Sequence, residues 1–153
     1  VSEKFYISWE EFHKDSQELS KKIKLMDLNI KGIVCITRGG LVPSAIIASE
    51  LDIRKIETYG IKTYSDSHEQ EKNYEILSIP VEALKDQGEG WIVIDELVDT
   101  GKTANYIMNQ LPLAKLFAVY TKLPNQKNIS IYIKEFNKNI WLCFPWEKYH
   151  DEV

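Results

Sequence analysis

The chain has 153 residues, 44% of them hydrophobic and 27% charged, the balance of a single globular domain over 1–153 with its own core. A formal net charge of −4 offers no basic excess to a polynucleotide backbone, which argues against a general nucleic-acid binder and leaves room for a small anion held by local amides. No apolar run approaches the roughly 18 residues of a membrane span and no signal-peptide core opens the chain, so no integral membrane segment is expected and the setting is read as cytoplasmic. Cys35 and Cys143 lie in apolar runs without CxxC spacing and read as buried thiols of a reducing compartment. His13, His68 and His150 are scattered, away from any zinc spacing.

In chain order, Ser8 to Glu11 forms a capping box ahead of a helix to about Lys24, with Phe12, Leu19 and Ile23 at helical spacing. Residues 32–37 are an apolar run suited to a buried parallel strand. The turn Arg38-Gly39-Gly40 leads to a helix over about Val42 to Leu51, with Pro43 in its first turn, where proline is tolerated. Residues 54–64 read as a strand, the polar stretch 65–73 as a mobile loop, and 74–79 as a returning strand. Trp91 to Asp95 is a further buried strand, 101–111 a helix and 116–121 a strand. This alternation predicts an α/β domain with a mainly parallel twisted sheet flanked by helices, whose ligands meet the carboxyl ends of the strands.

The densest chemistry lies in residues 91–103. A buried strand delivers Asp95 and Glu96, and a tight turn through Asp99, Thr100 and Gly101 opens a helix at Lys102 and Thr103. Free amides at a helix start, with two threonine hydroxyls and a glycine that permits close approach, make a phosphate site. The carboxylates would repel that phosphate, so they address something neutral or cationic beside it, such as ribose hydroxyls and magnesium. Two look-alikes fail. A P-loop needs glycine where Glu96 stands, and an aspartic protease needs a second Asp-Thr-Gly carboxylate beside Asp99. An Asp/Thr helix cap alone would leave Asp95 and Glu96 unexplained.

The run from Val93 to Thr103 resembles the signature of the type I phosphoribosyltransferases, which bind phosphoribosyl pyrophosphate (PRPP). Ser2-Glu3-Lys4 with Trp9, Arg38 to Pro43, and Gly88-Glu89-Gly90 are similar to the bacterial xanthine-guanine branch. The resemblance implies the type I fold with a flexible lid loop over 65–73 and a small C-terminal hood that recognises the base. It implies that Asp95 and Glu96 face the ribose hydroxyls and Mg2+, with Glu96 standing where that branch has Asp. Asp99 would manage the purine N7 proton, and Leu97, Val98, Asp99, Thr100, Gly101, Lys102 and Thr103 would line the PRPP site, with residues 99–103 around its 5′-phosphate. Arg38 and Gly39 would bind pyrophosphate beside a cis Thr37–Arg38 peptide. Lys122 would donate to the 6-oxygen, Trp141 would stack on the base, and the Leu142 carbonyl would accept from a 2-amino group.

The implied activity joins a 6-oxopurine (guanine, xanthine or hypoxanthine) to PRPP. The alternatives are an enzyme for hypoxanthine and guanine with poor xanthine use, and a PRPP- or nucleotide-sensing regulator without catalysis. The lid departs from the branch: it reads Glu69-Gln70-Glu71-Lys72, so Lys72 carries its one positive charge toward pyrophosphate. A homodimer or homotetramer is the implied assembly.

Overall fold

A computed structural model describes residues 3–65 and 72–148. The strands are β1 (Glu3–Tyr6), β2 (Gly32–Thr37), β3 (Ile56–Ser65), β4 (Lys72–Ser78), β5 (Trp91–Val98), β6 (Lys115–Thr121), β7 (Ile129–Ile131), β8 (Lys134–Glu135) and β9 (Ile140–Cys143). The helices are α1 (Trp9–Leu25), α2 (Leu41–Leu51), α3 (Val81–Lys85) and α4 (Lys102–Gln110). The main sheet runs β4-β3-β2-β5-β6-β7, with β8 also pairing β6. Every pairing in it is parallel except the β3–β4 hairpin. The α/β expectation is met.

Strand period explains the layers. Ile33 and Cys35 of β2, Ile92 and Ile94 of β5, and Phe117 and Val119 of β6 turn to one face, where Phe12, Leu19 and Ile23 of α1 and Ile47 of α2 cover them. The intervening Val34, Val93, Leu116 and Ala118 turn to the other face and meet Ala83 of α3 and Ala104 and Ile107 of α4. The alternation breaks late in β5 and β6. Leu97 and its register partner Tyr120 both join the α1 side, whereas Val98 returns to the α4 side.

The capping box is half realised: Ser8 Oγ accepts from the Glu11 amide at 3.0 Å, while the Glu11 carboxylate pairs instead with Lys134. Three boundaries move. β5 runs on to Val98, so Asp95 and Glu96 lie inside the strand, where pairing of Asp95 with Ala118 and of Leu97 with Tyr120 prolongs it. The hairpin pairs Ser65 with Lys72 and Tyr64 with Asn73, which shortens the expected loop from both sides. The rest of that loop, residues 66–71, lies outside the described residues. Both cysteines are buried and free.

Candidate active site

β2, β5 and β6 end side by side, and the polar residues gather where they end. At the end of β2 the Thr37–Arg38 peptide is cis, as expected. The chain then folds into a tight turn, with the Gly40 amide donating to the Ile36 carbonyl at 2.7 Å. Gly39 lies against β5: a Cβ there would fall on the Glu96 carboxylate, so any larger residue would push this carboxylate aside. Glu96 therefore faces the Arg38–Gly39 loop directly, and the two segments assigned separately to pyrophosphate and ribose form one surface.

Asp95 and Glu96 are adjacent carboxyls with little water around them. Burial pushes Asp95 well above the usual carboxylate range, and the negative field of Glu96 adds to that rise. Burial also raises Glu96, while its hydrogen bond with Asp95 holds it back. Both carboxyls are thus reluctant to carry charge side by side. The Glu96 amide in turn donates to Asp95 Oδ1 at 2.9 Å. A third carboxylate joins them. Glu147 is raised by burial, offset by a backbone hydrogen bond at Phe144 and by the nearby Arg38 charge, and its own charge acts on Glu96.

The turn after β5 is built as expected. Gly101 takes φ +82°, a conformation that suits glycine, and α4 begins at Lys102 with the Lys102 amide 3.4 Å from Thr100 Oγ1. The first backbone-to-backbone bond of the helix is from Asn105 N–H to the Gly101 carbonyl, so the amides of Lys102, Thr103 and Ala104 precede it. Gln126 closes over this turn, its Nε2 only 2.6 Å from where a Gly101 Cβ would be and 3.2 Å from Asn105 Oδ1. Beside the turn, Lys122 Nζ stands 3.7 Å from Asp99 Oδ1. The lysine side chain is 6% exposed and the aspartate 55%. The Lys122 amide bonds to the Val98 carbonyl, prolonging the β5–β6 contact to this pair.

The hood is a second, two-stranded sheet in which β1 pairs parallel with β9, Lys4 opposite Trp141 and Phe5 opposite Leu142. Trp141 is 59% exposed and Leu142 is buried. Behind them Phe144 stacks on Trp146, and Phe12 of α1 meets Trp146 edge-on at 4.8 Å. Lys72 begins β4, and its side chain lies outside the described residues, as does the lid it was expected to serve.

Three groupings follow: Arg38, Gly39, Asp95 and Glu96; Asp99 and Lys122 beside Thr100 to Thr103; and Trp141 with Leu142. Sequence reasoning missed Glu147 and Gln126. The acid directly after Pro145-Trp146 was a signal for the first. The second stands in a polar loop that carries none.

Comparison with known proteins turns this arrangement into a family. The family described as "Phosphoribosyl transferase domain" matches residues 8–152. The chain belongs to it. This phosphoribosyltransferase is 41% identical over 141 residues to the xanthine-guanine phosphoribosyltransferase of Desulfotalea psychrophila, covering 92% of this chain and 84% of that one. It is 40% identical over 143 residues to the enzyme of the same name from Nitratidesulfovibrio vulgaris, covering 94% and 84%. Among solved structures, the xanthine-guanine-hypoxanthine phosphoribosyltransferase of Helicobacter pylori superposes with a TM-score of 0.71 at 23% identity, covering 94% of this chain and 93% of that one. A Neisseria gonorrhoeae protein with bound ppGpp reaches 0.79 at 16% identity, covering 98% and 92%. At these identities the two structures show the shared fold.

Proposed function

We propose that this phosphoribosyltransferase is a purine salvage enzyme, in which a ring nitrogen of a 6-oxopurine displaces pyrophosphate from C1 of PRPP to give the nucleoside 5′-monophosphate. The observation that carries this reading is the Lys122–Asp99 pair at the lip of the phosphate turn. The 6-oxygen and N7 are neighbours on one edge of a 6-oxopurine. A cation and a carboxylate side by side match that edge: Lys122 donates to the oxygen, and Asp99 takes or returns the N7 proton as the base becomes a nucleophile. Adenine presents an amino group there, which would leave a nearly buried Lys122 facing a donor.

The transition state of this displacement is oxocarbenium-like, so positioning and electrostatics do most of the work. Residues 99–103 hold the 5′-phosphate, with Leu97 and Val98 leading into them. Arg38 and the Gly39 amide take the departing pyrophosphate. Glu96 and Asp95 favour positive charge on the ribose and hold its hydroxyls. Trp141 stacks on the base and the Leu142 carbonyl reads position 2. Lys72 is proposed as the cation of the lid.

Magnesium fits the donor set. Among the described residues no cluster of three metal-binding side chains occurs, yet Mg2+ needs only one or two carboxylates when substrate phosphates complete its shell. Asp95 and Glu96, adjacent acids whose mutual repulsion a cation would relieve, are the pair to hold it. When bound, the metal would offset charge on pyrophosphate.

A cytoplasmic setting and a homodimeric or homotetrameric assembly complete the proposal. Among the described residues no helix is long and apolar enough to cross a membrane. Exposed Trp9 and Leu41 border an apolar groove of about 650 Å³ between α1 and α2, a surface a second copy would cover. The deciding experiment is a spectrophotometric assay with PRPP, Mg2+ and each of guanine, xanthine, hypoxanthine and adenine. Turnover of the first three and not of adenine is expected; silence on all four would reject an enzyme in favour of a sensing protein.

A further inference from the structure

Tyr120 is placed where strand geometry would not put it. By the period-two pattern of β6 it should join Leu116 and Ala118 on the α4 side, but it turns with Leu97 toward α1. There its hydroxyl donates to Asp15 Oδ2 of α1 at 2.6 Å. Asp15 is only 3% exposed, and Lys134 of β8, the register partner of Tyr120, reaches the same carboxylate at 3.1 Å. A buried acid and a buried phenol are each costly alone and satisfied together, so this network specifies one arrangement of α1, β6 and β8.

The ring of Tyr120 extends that arrangement to the hood. It lies nearly parallel to Phe144, with centroids 6.3 Å apart and planes 19° apart, and meets Phe12 and Phe136 edge-on at 5.8 Å and 5.2 Å. Phe144 follows the Trp141-Leu142-Cys143 strand, and Lys122 stands two residues after Tyr120. One side chain therefore touches both arms expected to grip the base: the β6 end that carries Lys122 and the hood that carries Trp141 and Leu142.

We propose that Tyr120, locked by Asp15, is a positioning residue for the purine: it fixes the spacing between the Lys122 ammonium and the Trp141–Leu142 hood and so sets affinity for the base without touching it. The inference rests on the purine reading above. Asp95, Glu96, Arg38 and the phosphate turn lie on other elements and meet Tyr120 only through its register partner Leu97, so PRPP handling should change less than affinity for the base.

The test is steady-state kinetics with guanine and PRPP on Tyr120→Phe, Asp15→Asn and Asp15→Leu, with thermal melts alongside. Tyr120→Phe keeps the ring and loses the lock. It should raise the KM for guanine about fivefold to tenfold, the size of one net hydrogen bond, with kcat and the KM for PRPP within about twofold of wild type. Asp15→Asn still accepts from Tyr120 and should restore near-normal KM for guanine. Asp15→Leu should match Tyr120→Phe, and combining the two should add little further. Lower melting temperatures with unchanged KM for guanine in Tyr120→Phe would reduce the network to a structural brace and overturn the proposal. Equal rises for guanine and PRPP would also overturn it. Wild-type enzyme that turned over no oxopurine would instead reject the purine reading, and this inference with it.

Discussion

Burial and the neighbouring charge of Glu96 both resist ionisation of Asp95, and that has a cost in stability that pH should reveal. Its folded pKa lies above its unfolded one, so the folded state binds the extra proton. Stability from this residue is fully present below the ordinary carboxylate range and is lost as pH rises through the raised value. Asp95→Asn should therefore melt higher than wild type at neutral and alkaline pH in the absence of metal, with the gap closing at acid pH. Melts across a pH series read this directly, and a constant gap would mean the carboxyl is not strained by burial. Asp99 is exposed and is the residue proposed to handle the N7 proton. Asp99→Asn should reduce kcat roughly 10²- to 10⁴-fold while PRPP binding, measured by calorimetry, falls much less. At this scale the sequence was informative wherever the chemistry is local. Asp95, Glu96 and the 99–103 turn declare themselves through adjacency, whereas Glu147 comes close enough for its charge to act on Glu96 only through tertiary folding, which no spacing in the chain encodes.

Among elements, α1 does more than cover the sheet. It offers Phe12 to Trp146 and Asp15 to Tyr120, so one helix braces both the hood and the end of β6. Trp146→Ala removes the ring stacked on Phe144 at 4.9 Å and the edge contact to Phe12. Since Trp146 is partly buried, a loss of about 2–3 kcal/mol is expected by denaturant titration, below the range for a fully buried tryptophan. The KM for guanine should rise more than that for PRPP, because the hood rather than the phosphate turn loses its support. The buried parallel strands were legible because they are continuous apolar runs. β1 and β9 were not: β1 is exposed along its length and shows no alternation to betray it. The ends of β3 and β4 look like loop in the sequence because Ser65, Lys72 and Asn73 are polar, yet a hairpin rung needs only backbone groups.

For the whole molecule, assembly is the property least visible in one chain. A concentration series in sedimentation equilibrium should give a dimer or tetramer mass; a monomer at all concentrations would leave the α1–α2 groove to another role. The order of βαβ units made the fold readable, because handed crossovers leave few ways to arrange such a pattern. The resemblance implied a C-terminal hood, but the strand pairing that builds it escaped because it joins distant parts of the chain, Glu3 with Ile140 and Tyr6 with Cys143. Contacts of such long sequence separation close late in folding, since their loop entropy is offset only once the intervening chain is compact. The phosphate turn, built from consecutive residues, has no such delay. The protein should thus acquire a place for a phosphorylated sugar before it acquires one for a base. Pulse-labelled hydrogen exchange during refolding would show this as late protection of the amides of β1 and β9, after those of β2, β5 and β6; simultaneous protection would make the hood part of the folding nucleus.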